Sequence, residues 1–121
     1  MMGDVFLQED GKVITKPWGH EYIIFKDENV LIKRLYIRLF ERTSYHYHPT
    51  VRTRLVVLSG QVECRKGDKV EVLEQFESMV FERGVPHSTE SMVGVSTLLE
   101  IDSPSLDDDI VRLEDKYGRV K

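Results

Sequence analysis

Three histidines are the residues of this chain best suited to bind a metal. His46 and His48 are separated by one residue in a segment that reads as extended, and side chains at positions i and i+2 of a strand share a face. His87 follows Gly84 and Pro86 in a turn after a predicted strand. If that turn meets the first strand, the three imidazoles can hold one divalent transition metal (zinc, iron, manganese or nickel), whose identity the sequence leaves open. The alternative is two surface histidines and a loop histidine that caps a strand end.

Two arginines and one glutamate are the candidate catalytic residues. Arg52 and Arg54 share a strand face on either side of Thr53, and guanidinium groups bind phosphate or carboxylate in a bidentate manner. They can equally be solvated arginines on an outer face. Glu100 shares a face with Asp102, which suits a pair of carboxyls for acid–base chemistry. The alternative for this pair is a hydrogen-bonded or outward-facing structural role.

Short strands must position these residues. The run 34–39 alternates, with Leu35, Ile37 and Leu39 on one face and arginine and tyrosine on the other, which is the period of a strand with two different faces. Residues 61–66 and 69–74 flank Gly67-Asp68 and indicate a hairpin. Further strands are predicted at residues 20–26, 54–59, 78–82 and 95–102. Several short strands at this spacing favour an all-β sandwich or barrel.

The length of 121 residues predicts one domain. We expect a core at about residues 16–103, an N-terminal arm at 1–15 and a closing segment at 104–121. The acids at 107–109 could start a short helix that packs on the barrel; the alternative is a solvated tail. The arm carries apolar residues that could cover a neighbour's exposed strand edge, so we expect a homodimer.

Composition restricts the partners. A net charge of -4 argues against a nucleic-acid module, which should be basic. The acidic start has no basic region before its short apolar run, so no signal peptide is expected. No stretch approaches the roughly 20 apolar residues of a membrane helix. The single cysteine, Cys64, suggests a reducing compartment, and we therefore expect a cytoplasmic protein.

Four stretches resemble one known family. They are Lys16-Pro17-Trp18-Gly19, the run 44–48 continuing to Gly60, the run 76–87, and the closing run 108–119. The resemblance is to the cupin domain of type II mannose-6-phosphate isomerases, also found at the C-terminus of mannose-1-phosphate guanylyltransferases. It implies a small single-domain cupin, that is, a double-stranded β-helix or jelly-roll barrel with a short C-terminal segment.

The same resemblance implies a changed metal site. Counting back from Gly60, the family's metal-binding glutamate falls on Thr53, its glutamine ligand on His46 and its histidine ligand on His48. The last family histidine falls on His87. The chain thus has three histidines and an open side where the family has a mixed site.

Other positions also depart from the family. Its basic residue and its tryptophan near the first motif are Val51 and Leu55 here, and the glycine and proline of the second motif are Phe76 and Glu82. Glu100 matches a family glutamate. Because groups that sugar-phosphate enzymes use are missing, the departures argue against mannose-6-phosphate isomerase activity as such.

Three functions follow from these observations. The first is a metal-binding cupin that acts on or binds a sugar phosphate or nucleotide sugar, with isomerase- or epimerase-like chemistry. The second is a three-histidine metal-dependent dioxygenase. The third is a non-catalytic sugar-binding module. Whether the chain is an enzyme at all stays open at this point, since fold resemblance does not determine function.

Overall fold

The fold consists of strands. The computed structural model describes residues 13–106 and 109–120, and within these ranges it contains eleven strands and no helix. They are β1 Val13–Lys16, β2 Gly19–Lys26, β3 Leu31–Ile37, β4 Tyr45–Tyr47, β5 Arg52–Ser59, β6 Val62–Lys66, β7 Lys69–Leu73, β8 Ser78–Phe81, β9 His87–Ser91, β10 Ser96–Ser103 and β11 Val111–Glu114.

The strands form two antiparallel sheets that enclose one core. One sheet has the order β1-β2-β3-β10-β5-β8 and the other the order β11-β4-β9-β6-β7. Alternate residues of both sheets point inward, among them Ile37, Val57, Val62 and Leu98, which are fully buried. Burying each such side chain stabilises the fold by about 1.5–3 kcal/mol. The prediction of an all-β jelly roll is confirmed.

Strand pairing confirms the predicted hairpin and most of the predicted alternation. β6 pairs with β7 from Val62↔Leu73 to Lys66↔Lys69, which leaves the predicted two-residue turn between them. In β3, Leu35 and Ile37 are buried as expected. Leu39 lies beyond the end of β3 and is exposed, because alternation holds only while the chain stays in the sheet.

The described part of the closing segment packs on the barrel, but the short helix expected there is wrong. Residues 111–114 form β11, which pairs antiparallel with the open edge of β4. A strand completes the backbone hydrogen bonds of that edge, which a helix could not do. Tyr117 then packs against the core and donates a hydrogen bond to Glu41 (2.5 Å).

The N-terminal arm is described only in part. Its last residues form β1, which pairs with β2 from Val13↔Tyr22 to Lys16↔Gly19; residues 1–12 lie outside the described residues, as do 107, 108 and 121. None of the described segments is a helix long and apolar enough to cross a lipid bilayer.

Candidate metal centre

Strand pairing brings the three histidines together. His46 lies in β4 and His48 directly follows it, and the β4–β9 pairing makes His46 and His87 direct partners. The ring centroid of His46 lies 5.0 Å from that of His48 and 4.7 Å from that of His87. One nitrogen of each imidazole lies within 4.8 Å of the others. The three residues predicted from spacing therefore converge on one point.

Each of these imidazoles is oriented by a backbone carbonyl group. The acceptors of the Nδ1 hydrogen bonds are the carbonyl oxygens of Ser44 for His46 (2.7 Å), Asp109 for His48 (2.5 Å) and Val85 for His87 (3.0 Å). A carbonyl oxygen can only accept, so each Nδ1 must carry the hydrogen. In a neutral ring with this tautomer, Nε2 carries the free lone pair. Metal-binding histidines are held in the same way, by a hydrogen bond from the second ring nitrogen.

Burial keeps two of the imidazoles neutral. It lowers the pKa of His46 to about 3, with a further contribution from repulsion by the other two rings. Burial likewise lowers the pKa of His87 to about 4, and this ring stacks on Phe81 with a centroid distance of 4.0 Å. Since a metal binds the neutral imidazole, these lone pairs are available at physiological pH.

The residues present fit a divalent transition metal. Ligand nitrogens of a tetrahedral zinc, at about 2.0–2.1 Å from the ion, lie roughly 3.4 Å apart, so small ring movements would close the 4.8 Å spread. Thr53 takes no part, because its buried hydroxyl donates to Asp102 (2.8 Å). The candidate donor set is therefore three imidazoles, and an ion held by them would keep coordination positions for water or a ligand.

A buried lysine and three carboxyls lie beside the histidines. Glu100 on β10 is the direct strand partner of Lys33 on β3. The Lys33 ammonium lies 3.6 Å from Glu100, 3.7 Å from Glu21 and 3.9 Å from Asp102. The positive charge of Lys33 compensates the negative charge of these carboxyls, because burying an ion without an opposite charge nearby destabilises the fold.

The protonation states within this cluster differ. Burial opposes the charge of Lys33, but the three carboxyls outweigh it and raise its pKa. Burial also opposes the charge of Glu100, yet Lys33 and a hydrogen bond from Asp102 lower its pKa. Burial and the Glu100 charge raise the pKa of Asp102. We therefore assign Glu100 as a carboxylate and Asp102 as the protonated partner that donates to it.

These groups line a cavity of about 130 Å³ that also contains His46 and His48. Its cationic lining residues are Lys16, Lys33, Arg112 and Arg119, and its acidic ones are Glu21, Glu100 and Asp102. Sequence reasoning missed Arg112 and Arg119 as site residues. Their signal was present in the closing run 108–119, which carries the family resemblance.

The structure does not bring Arg52 and Arg54 to the cavity. Both are exposed on the outer face of β5, where Arg52 pairs with Glu82 (3.0 Å) and Arg54 contacts Ser78 (3.5 Å). The alternation of β5 turns Thr53 inward and so turns both arginines outward. We therefore remove these two from the candidate site. Of the three candidate catalytic residues, Glu100 is the one that lines the cavity.

The outer face of β3 is likewise separate from the site. Lys33 and Leu35 line the cavity, so Arg34 points to the opposite face. Arg38, which lies just past the end of β3, is exposed and donates to the carbonyl oxygen of Pro17 (2.5 Å).

The fold and the site define a cupin. KdgF from Halomonas sp. superposes with a TM-score of 0.76 at 15% identity, covering 84% of this chain and 94% of that chain. An RmlC-like cupin from Shewanella frigidimarina gives a TM-score of 0.73 at 13% identity, covering 80% of this chain and 86% of that one. At such identities the likeness concerns the fold alone.

Sequence comparison identifies the family within that class. Residues 6–115 match the family described as mannose-6-phosphate isomerase C-terminal, and the chain belongs to it. The xanthan biosynthesis protein XanB of Xanthomonas campestris pv. campestris is 31% identical over 110 residues, which are 88% of this chain and 24% of that protein. The mannose-1-phosphate guanylyltransferase ManC of Salmonella typhimurium is also 31% identical, over 88% of this chain and 23% of that protein. The chain thus spans about a quarter of the length of these curated relatives.

Proposed function

We propose that this cupin domain binds a divalent transition metal through His46, His48 and His87 and catalyses an isomerase-like proton transfer on a sugar phosphate or nucleotide sugar. One observation carries the proposal. A carboxylate, Glu100, lines the same cationic cavity as the oriented imidazoles His46 and His48. An aldose–ketose or epimerase reaction requires a base beside an electrophile; Glu100 would be the base, and a metal held by the imidazoles would supply the electrophile.

The residues of the chain have separate roles in this proposal. A metal bound to the three Nε2 atoms would supply Lewis-acid polarisation of a carbonyl or hydroxyl oxygen. Lys33 keeps Glu100 ionised at 3.6 Å, and Asp102 donates a hydrogen bond to it. Glu100 accepts a proton from the carbon next to the substrate carbonyl and returns it to the former carbonyl carbon, while the hydroxyl proton passes from the neighbouring oxygen to the former carbonyl oxygen.

The proposed class of ligand follows from the cavity and from the relatives. Four cationic side chains and three acidic ones line the cavity, and with Asp102 protonated the lining is net positive, which favours an anionic small molecule over a neutral one. The relatives are named as a mannose-1-phosphate guanylyltransferase and a xanthan biosynthesis protein. Mannose phosphates and nucleotide sugars are therefore the first ligands to test.

The metal is tested by elemental analysis of the purified protein. We expect one transition-metal ion per chain, lost in His48→Ala, and a higher melting temperature on adding back the metal, because a ligand that binds only the folded state stabilises it. A protein that contains no metal, and whose melting temperature no added metal raises, would instead support the non-catalytic sugar-binding module.

The chemistry is tested by hydrogen exchange in D₂O. With a panel of sugar phosphates and nucleotide sugars as substrates, mannose 6-phosphate among them, and the metal that elemental analysis identifies, we expect deuterium at carbon 2 of at least one of them by NMR. Glu100→Gln should slow this exchange by about 10²–10⁴-fold while keeping its metal. Glu28→Gln, an exposed change in the β2–β3 turn, is the matched control. Equal exchange in the Glu100→Gln protein and the wild type would refute the role of Glu100.

One observation favours a second candidate. Thr53 stands where the family has its metal-binding glutamate, and its hydroxyl binds Asp102. The candidate donor set is therefore three imidazoles without a carboxylate, and such a set also suits redox metals such as iron. A metal-dependent dioxygenase would consume oxygen when the anaerobically iron-loaded protein meets its organic substrate. Oxygen uptake without carbon-2 exchange would favour this function over the isomerase.

A further inference from the structure

Arg112 is oriented against the usual pattern of a surface strand. In β11 the apolar side chains of Val111 and Leu113 are exposed (38% and 45%), whereas Arg112 between them is half-buried. Arg112 is the direct partner of His46 across the β11–β4 pair, and direct partners in an antiparallel pair project to the same face. The strand thus exposes apolar groups and directs its cation into the cavity beside the imidazoles.

The guanidinium group of Arg112 is incompletely satisfied there. Its Nε is buried and has no hydrogen-bond partner, and Arg112 forms no ion pair with any residue that the structure describes. Leaving a buried donor without an acceptor is unfavourable, because the group has lost its hydrogen bonds to water. An anionic ligand would supply the missing acceptor.

The other cavity cations already have carboxylate partners. Lys33 lies among three carboxyls, Lys16 lies 4.0 Å from Glu21, and Arg119 binds Asp115 through Nε (2.8 Å) and Nη2 (3.0 Å). Among the described lining residues, Arg112 is the cation whose charge is left for a ligand.

We propose that Arg112 binds the phosphate group of a phosphate monoester and thereby positions the ligand beside the histidines. A planar guanidinium donates two parallel hydrogen bonds to a phosphate, a geometry that the ammonium of lysine cannot reproduce. The inference rests on the proposed function for the location of the ligand in this cavity. It adds a residue that selects phosphorylated ligands over unphosphorylated ones.

Binding is measured by calorimetry with the full chain and three probes: mannose 6-phosphate, mannose and inorganic phosphate. We expect the wild type to prefer the phosphate ester to free mannose. Arg112→Gln should weaken binding of both phosphate probes by about 10- to 100-fold, the worth of hydrogen bonds to a charged group, and leave the affinity for mannose unchanged. The affinity of Arg112→Lys for the phosphate probes should lie between that of the wild type and that of Arg112→Gln. Arg42→Gln is the control, because Arg42 pairs with Glu90 and does not line the cavity.

A purely structural role for Arg112 predicts a different result. If Arg112 only supports the fold, Arg112→Gln lowers the melting temperature without ligand and weakens binding of all three probes equally. If it binds phosphate, the melting temperature does not fall, the metal content stays at the wild-type level and only the phosphate probes lose affinity.

Different results would contradict the phosphate-binding role of Arg112 and the proposed isomerase function. Equal binding of mannose 6-phosphate by the Arg112→Gln protein and the wild type overturns the inference while leaving the isomerase proposal intact. Loss of phosphate binding in Arg112→Gln, combined with no carbon-2 exchange in the wild type, supports the inference and refutes the isomerase. A wild type that binds neither phosphate probe overturns the inference.

Discussion

Replacing Lys33 by methionine removes the cation at the centre of the acidic cluster. Its ammonium lies within 3.9 Å of the carboxyls of Glu21, Glu100 and Asp102, all of them largely buried. Removing one partner of a buried ion pair costs about 3–5 kcal/mol, which is a large part of the 5–15 kcal/mol that stabilises a typical domain. We expect a loss of this size at pH 8.

The loss should depend on pH. With Lys33 present, the pKa of Glu100 is lowered on folding, so its contribution to stability is complete above the ordinary value and disappears as the pH falls. Without Lys33, burial raises the folded-state pKa of Glu100 above that of the unfolded chain, and stability then decreases as the pH rises. The difference between wild type and Lys33→Met should therefore grow from pH 5 to pH 8, by about 1.4 kcal/mol per pH unit for each carboxyl that binds a proton on folding.

Urea unfolding at several pH values measures this difference. Lys69→Met is the matched control, since Lys69 on β7 is exposed, and it should change stability by less than about 0.5 kcal/mol. A Lys33→Met protein that loses under 1 kcal/mol at pH 8, or whose loss is the same at pH 5 and pH 8, would show that Lys33 does not compensate the cluster.

Three further predictions concern the metal ligands, a strained turn and the oligomeric state. The folded-state pKa values of His46 (about 3) and His87 (about 4) lie below the ordinary 6.5, so the unfolded chain binds more protons than the folded chain below pH 6.5. In the presence of a chelator, the free energy of unfolding of the metal-free protein should therefore fall by about 1.4 kcal/mol per pH unit for each ring between pH 6.5 and about 4. The variant His46→Gln should show a smaller slope. Phe76 has a φ of 68° and is 74% exposed. Phe76→Gly should raise the free energy of unfolding by about 0.5–1 kcal/mol, because the relief of left-handed backbone strain exceeds the greater entropy that glycine loses on folding. A variant with equal or lower stability would contradict this. The homodimer expected from the N-terminal arm should elute as such in size-exclusion chromatography with light scattering at micromolar concentration, where a monomer would refute it.

Local sequence patterns predicted the structure correctly where a residue's environment depends on its neighbours in the sequence. Period-two alternation predicted the buried face of β3, and the Gly67-Asp68 turn predicted the β6–β7 hairpin, because both depend on contacts within a few residues. The same alternation predicted that Arg52 and Arg54 share a face, but not which face. That choice depends on which side of β5 meets the core, and Thr53 and Leu55 occupy that side.

The closing segment shows the opposite case. The acids at 107–109 favour a helix start locally, yet residues 111–114 complete the edge of β4 as a strand. The edge strand that β11 pairs with lies 64 residues earlier, with Tyr47 opposite Val111. A pattern within a few residues of the closing segment cannot reveal it. The same long-range pairing directs Arg112 into the cavity.

Residue type and spacing alone were enough to predict the all-β class, the family resemblance and the three histidines. The three-dimensional arrangement was needed to learn that His87 lies opposite His46, that Glu100 and Asp102 share their environment with Lys33, and that Arg112 rather than Arg52 or Arg54 faces the cavity. Each of these depends on strand register between distant segments, and a shift of one residue in register would turn every side chain of a strand to the other face.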